Sequence, residues 1–150
     1  PERTSDACLT SDVVRRMTVL SRMAASATLL HIGGVLRQPQ IDAMRLADKV
    51  LVVVRPDVPS LNRAAMTMSN LAHVGISPDR IAVAVNFWGE AGLVSKQHIE
   101  ETLQWKTAHF LTYDPGRVNR CVNEGVLLRK WYPRCRLARQ LDALGKALAT

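Results

Sequence analysis

Residues Val50-Leu51-Val52-Val53-Val54 form an unbroken apolar run, four of the five β-branched, set between Asp48-Lys49 and Arg55-Pro56-Asp57. β-Branched side chains crowd a helix and suit a pleated strand. A strand with one wet face would alternate apolar with polar residues, and this one does not. The run therefore predicts a strand buried on both faces, and Pro56 marks its end.

The rest of the chain alternates in the same sense. Thr10, Ser11 and Asp12 offer N-caps for a helix carrying Val13, Val14, Met17, Leu20 and Met23 at helical spacing. Residues 28–32 are a short apolar run stopped by Gly33-Gly34, which predicts a second strand. Pro39 opens a short helix with Ile41, Met44 and Leu46. Beyond the 50–54 strand, Pro59-Ser60 opens a helix with Leu61, Ala64, Ala65, Met68, Leu71 and Ala72, and Gly75 stops it. Ser77-Pro78-Asp79 reads as a turn, and residues 81–85 as a strand ending at Asn86. Gly89 and Gly92 mark a loop, and Ser95 caps a helix with Ile99 and Leu103. Residues 107–112 read as a further strand, followed by a helix over about 116–123 and, after Gly125 and Pro133, a last helix.

Strands that alternate with helices predict right-handed crossovers and a parallel sheet. The expected architecture is α/β: one domain over residues 1–150, with an open, mainly parallel sheet of about four strands and flanking helices. Residues 1–9 are expected to fray, and residues 134–150 to form the C-terminal helix. Ligands of such sheets gather at the carboxyl ends of the strands. Here those ends carry His31, Gly33 and Gly34; Arg55, Pro56 and Asp57; Asn86 and Phe87; and Tyr113, Asp114 and Pro115.

Composition narrows the function classes. Hydrophobic residues make up 47% of 150 and charged residues 22%, as in globular proteins. No apolar run approaches the roughly 20 residues of a membrane span. The polar, acid-bearing first fifteen residues do not resemble a secretory leader. Cys8, Cys121 and Cys135 include no C-x-x-C pair, so cysteine alone makes no zinc site, and reduced thiols in the cytoplasm are expected. The chain begins at Pro1, which fits either loss of an initiator Met or a piece of a longer protein.

Several segments in order resemble the C-terminal half of the ParA/MinD family of P-loop ATPases, and within it the CpaE/TadZ-like pilus-assembly localisation proteins. They are Ala47-Asp48-Lys49 with the 50–54 run, Pro56-Asp57-Val58-Pro59-Ser60-Leu61, residues 81–86, Leu93-Val94-Ser95 with residues 99–103, Tyr113-Asp114, and Val118 with residues 123–127. Together they span about residues 27–145. The resemblance implies a partial P-loop NTPase-like, Rossmann-like three-layer fold. It also implies that Asn86 reads an adenine edge through its amide and that the backbone of Tyr113, Asp114 and Pro115 passes the base. From the residues alone, Asn86 reads equally as a turn former, and Asp114-Pro115 as an N-cap followed by the first helical residue.

The departures bear on activity. The chain holds no G-x-x-x-x-G-K-[ST] loop and no Lys-Gly-Gly variant, and its 89–96 stretch has the wrong spacing. His31 stands where the resembling family has a magnesium-site Asp, and a neutral imidazole does not supply the hard oxygen that magnesium prefers. No catalytic residue, metal site or cofactor is therefore expected in this chain; ATP and magnesium would need a P-loop half from elsewhere. The resemblance puts the P-loop strand beside the strand ending at His31, so its absence would leave a gap for other strands to fill, and a homo-oligomer is expected.

Between residues 117 and 139 lie Arg117, Arg120, Arg129, Lys130, Arg134, Arg136 and Arg139, against Glu124 alone, with Trp131 and Tyr132 among them. This cluster carries most of the net charge of +7. It suits a protein partner, anionic lipid or the phosphates of DNA, or serves only solubility. The arginines near Cys121 and Cys135 would lower a thiol pKa, yet no partnered base accompanies them. Leu137, Leu141, Leu144 and Leu148 form a stripe on the last helix that reads as a packing face. Phe87 and Trp88 are candidate partner contacts if exposed. The expected function is a non-catalytic, cytoplasmic localisation or assembly factor, peripheral at the inner membrane or cell pole. The alternatives are half of an active ATPase and a basic DNA-binding module.

Overall fold

The computed structural model describes residues 10–33, 37–90, 94–106 and 109–149. The expected frayed start with Cys8, the glycines Gly34 and Gly92, and residues 107–108 of the last expected strand lie outside them.

Helix α1 (Ser11–Ala24) begins where the Thr10 hydroxyl accepts a hydrogen bond from the Val13 N–H at 3.4 Å. Helix α2 (Gln38–Leu46) carries Pro39 in its first turn, and the Gln40 side chain accepts from the Arg37 N–H at 3.2 Å. Strand β1 (Val50–Val54) leads to α3 (Val58–His73), capped by Asp57, which accepts from the Ser60 N–H at 2.9 Å. Gly75, at φ +82°, turns the chain out of α3 in a left-handed conformation. A 3₁₀ turn (Pro78–Arg80) feeds β2 (Ile81–Trp88). Then come α4 (Lys96–Leu103) with its Ser95 cap, β3 (His109–Thr112), α5 (Pro115–Asn123), a short α6 (Leu128–Trp131) and α7 (Arg136–Ala149).

The described sheet is parallel throughout, in the order β1-β2-β3, and has three strands rather than four. The missing one is the 28–32 run, which forms no ladder with another described segment. Leu29 is 90% exposed there. An apolar run becomes a strand only where another strand accepts its backbone hydrogen bonds, and no described segment does so here. The last strand begins at His109, and the last helix at Arg136 rather than at 134.

Helices lie on both faces of the sheet, but β1 is not buried on both sides as its sequence predicts: of its five residues Val54 alone is buried, and Val53 is exposed. On one face α3 and α4 bury Leu61, Met68, Ile99 and Leu103 against Val54, Val83 and Val85. A neighbouring cluster joins Met44, Leu71, Ile76 and Ile81, with Ile32, Val50 and Val52 at its border. Each fully buried aliphatic contributes roughly 1.5–3 kcal/mol. On the other face α7 packs Leu137 and Leu144 onto Ala84 and Leu111, with Leu51 at the margin. Alternation along β1 puts Val53 on that same side, beyond the reach of α7, where it stays 57% exposed. One face of β1 is therefore only partly covered, and among the described residues no strand pairs with its outer edge.

Candidate functional site

The carboxyl ends of the three strands meet around a left-handed residue. β2 does not stop at Val85 but runs to Trp88 through an irregularity in its pairing with β3. Phe87 takes φ +59°, a conformation that a bulky residue holds only when its neighbours fix it. Three contacts do so. The Asn86 side-chain oxygen accepts from the Phe87 N–H at 2.9 Å. The Tyr113 ring lies 5.4 Å from the Phe87 ring. The Arg55 guanidinium covers Phe87 at 4.6 Å. Arg55 in turn bonds Asp57 at 3.3 Å and Glu90 at 3.2 Å. The Tyr113 N–H donates to the Trp88 carbonyl at 2.8 Å, tying the ends of β2 and β3 together.

The structure thus brings Asn86, Phe87 and Tyr113 together, with Arg55 added. The sequence places Arg55 at a strand end beside Asp57, but its contacts with Phe87 and Glu90, more than 30 residues away, carry no spacing signal. Asn86 commits its oxygen to its own neighbour, as a strand-end turn former does. Asp114 caps α5, accepting from the Arg117 N–H at 3.3 Å and from Arg117 Nη1 at 2.7 Å, and Pro115 is the first helical residue. The hydrogen bond from the Arg117 side chain holds the Asp114 carboxyl below its ordinary value. Asp57 is lowered as well, first by its hydrogen bonds from Ser60.

Trp88 belongs to the core. It packs into the cluster with Leu61 and Val85 and meets Phe110 at 4.6 Å, while Phe87 is half-buried. Both rings are partly buried and stack within the chain, so neither is the freely exposed ring that the expected partner contact requires.

His31 is exposed on the unpaired 28–33 segment. Among the described residues no three His, Cys, Asp or Glu side chains converge as a metal site would require. Lys49 donates to the Asp79 carbonyl at the opposite end of β1, and Lys96 pairs with Glu100.

The basic cluster is partly spent within the fold. Arg117 pairs with Asp114 and lies over Tyr132 at 5.5 Å. Arg129 pairs with Asp142 at 3.3 Å. Arg120 stacks over Trp131 at 5.5 Å, and Trp131 meets Tyr132 edge-on at 6.4 Å. Among the described residues Arg120, Lys130, Arg134, Arg136 and Arg139 have no carboxylate within ion-pair distance. Cys121 is buried, and Cys135 lies half-buried at the start of α7, where its sulfur accepts from the Ala138 N–H at 3.3 Å. The α7 stripe faces the sheet through Leu137, Leu144 and Leu148, leaving Leu141 42% exposed. Among the described residues no helix is long and apolar enough to cross a membrane.

No family model matches the chain, and no curated protein sequence does. Solved structures do. A ParA family ATPase from Chlorobium tepidum superposes on 90% of this chain and 56% of its own, with a TM-score of 0.74 and 18% identity. The cell division ATPase MinD of Pyrococcus furiosus superposes on 93% of this chain and 58% of its own, with a TM-score of 0.76 and 16% identity. The septum site-determining protein MinD of Pyrococcus horikoshii, solved with Mg-ADP, gives 93% and 55%, with a TM-score of 0.73 and 15% identity. The chain has a ParA/MinD-type, P-loop NTPase-like fold over most of its length, and it spans a little over half the length of these solved chains.

Proposed function

We propose that this chain is a localisation or assembly factor that works through contact with other polypeptides and with further copies of itself, and does not hydrolyse ATP alone. The observation that supports this is the outer edge of β1. It offers the backbone of Val50-Leu51-Val52-Val53-Val54 with no strand beside it among the described residues, and Val53 is 57% exposed on its less covered face. An apolar edge of this kind recruits another strand. The resemblance to CpaE/TadZ-like proteins suggests pilus or secretion machinery as the setting, on the cytoplasmic side of the inner membrane or at a cell pole.

Light scattering on size-fractionated protein tests this reading. Self-association that rises with concentration is expected, together with its loss in Val53→Lys, which places a charge on the edge. A monomer at every concentration, or sustained ATP turnover with magnesium, overturns it.

A second reading rests on a different observation, the 55–58% of the solved ParA/MinD chains that this chain spans. Here the chain is the base-side part of an ATPase whose phosphate-binding part is supplied by other residues. Asn86, Tyr113, Asp114 and Pro115 would then border the base. Saturable ATP binding that appears only when a P-loop-bearing segment is added supports this reading.

A further inference from the structure

We infer that the cleft between α5, α6 and the start of α7 is a docking site for an acidic amphipathic helix of a partner protein. The cleft has a volume of about 380 Å³ and is lined by Arg117, Trp131, Tyr132, Pro133, Arg134 and Cys135. Two cations hold its aromatic walls: Arg117 lies over Tyr132 and Arg120 over Trp131, each at 5.5 Å. The two rings meet edge-on at 6.4 Å, so they form a corner rather than a flat platform. Leu127 caps α6 one helical turn before Trp131 and is 77% exposed.

The charge around the cleft is one-sided. Residues 115–149 hold two carboxylates, Glu124 and Asp142, and Asp142 is spent on Arg129. Arg117 is spent on Asp114. Arg120, Lys130, Arg134, Arg136 and Arg139 have no carboxylate within ion-pair distance among the described residues. Such a surface is complementary to carboxylates that a partner brings. The cleft supplies what charge lacks. Trp131, Tyr132 and Pro133 give an apolar seat for one side chain of the partner, with Arg134 beside it. A helix with acids flanking an apolar ridge fits both features.

Charge alone would also suit nucleic acid, but two features favour a polypeptide. Each ring already has a guanidinium on one face, and the rings stand at 89° to one another, so they offer no parallel faces to successive bases. Leu127 and the exposed Val122 of α5 gain burial against an apolar side chain and nothing against a phosphate backbone.

This inference rests on the proposed role in contact with other polypeptides and deepens it by naming the partner's chemistry; it does not depend on the β1 edge. The test is fluorescence anisotropy with a labelled helical peptide that carries Glu on one face and a Leu ridge on the other. Poly-glutamate of equal length and a duplex DNA of random sequence are the comparisons. Saturable binding of the amphipathic peptide is expected, at least about tenfold tighter than that of poly-glutamate. Arg134→Glu should weaken it at least about tenfold, and Leu127→Ser at least about threefold, and both positions are exposed, so neither change disturbs the core. Light scattering on the same samples reads self-association separately: peptide binding by a protein that stays monomeric fails the β1-edge reading alone. No binding of the peptide at low salt overturns the inference. So does equal binding of poly-glutamate, peptide binding that Arg134→Glu leaves intact, or tighter binding to the DNA than to the peptide.

Discussion

The Arg55 guanidinium lies 4.6 Å from the centre of the Phe87 ring, joining the ends of β1 and β2 across the sheet. Phe87 holds a left-handed backbone conformation there at φ +59°. That conformation costs a residue with a Cβ about 1–2 kcal/mol and costs glycine almost nothing. Phe87→Ala loses both ring contacts and keeps the strain, whereas Phe87→Gly loses the contacts and releases it. Urea denaturation should therefore find Phe87→Gly more stable than Phe87→Ala by about 1 kcal/mol, the reverse of the usual order. Arg55→Ala should cost no more than about 1 kcal/mol, because the guanidinium is half-exposed. An alanine variant as stable as the glycine variant would remove the left-handed turn from this account.

Asp114 gives a pH-dependent prediction. Its carboxyl is lowered in the folded state, chiefly by the hydrogen bond from Arg117. A depressed folded value stabilises the protein above the unfolded pKa of about 3.9, and the benefit is lost as pH falls through the folded value. Asp114→Asn retains a cap and removes the titration. The stability gap between wild type and Asp114→Asn should be present at neutral pH and close in acid. Asp114→Ala should cost about 1 kcal/mol at neutral pH. A gap that persists unchanged in acid contradicts the assignment.

Cys135 caps α7 with a sulfur, which is a weak acceptor. Cys135→Ser presents an oxygen to the same Ala138 N–H. Thermal unfolding should show a gain of about 0.5–1 kcal/mol. A thiol-modifying reagent should also reach Cys135 well before the buried Cys121, and the opposite order of reaction would place Cys135 elsewhere.

Leu61 and Leu29 separate core from surface. Leu61 is fully buried between α3 and the sheet, so Leu61→Ala should cost about 3 kcal/mol. Leu29 is 90% exposed despite its apolar neighbours, and Leu29→Ala should fall within about 0.5 kcal/mol of wild type. A loss of several kcal/mol at Leu29 would mean that residues 28–32 are a buried strand after all.

Much of the fold was legible because its signals are local. The valine run read as a strand, though its expected burial on both faces fails at the exposed Val53, and helices with their own caps and stops flanked it. Ser95 and Asp114 could be read as caps because the bond each makes spans only three residues, whereas Asp57 reads as a strand end and proves to cap α3. The strand at 28–32 was misread for the opposite reason. Its apolar pattern is sound, but a strand also needs a neighbour, and pairing is a long-range property. Trp88 was a candidate surface contact because it follows the expected end of its strand, but β2 continues to Trp88 through an irregular pairing that no spacing rule reports, and the ring packs against the core. The seven cations between residues 117 and 139 were visible as a count. That Arg117 and Arg129 meet carboxylates while Arg120 rests on an indole depended on how α5, α6 and α7 come together.

Arg80, in the turn before β2, ties down the end of α2. Its guanidinium donates to the carbonyls of Met44, Arg45 and Ala47 and so closes the end of α2 from the start of β2. Helix α1 buries only Val14 and Thr18, and the element it packs on is α2. It therefore stands two steps from the central sheet, joined through a helix that one arginine helps to anchor. Amide protons of α1 should exchange with solvent first and those of β2 last, and a protease acting on the native protein should cut beside α1 while leaving the sheet whole.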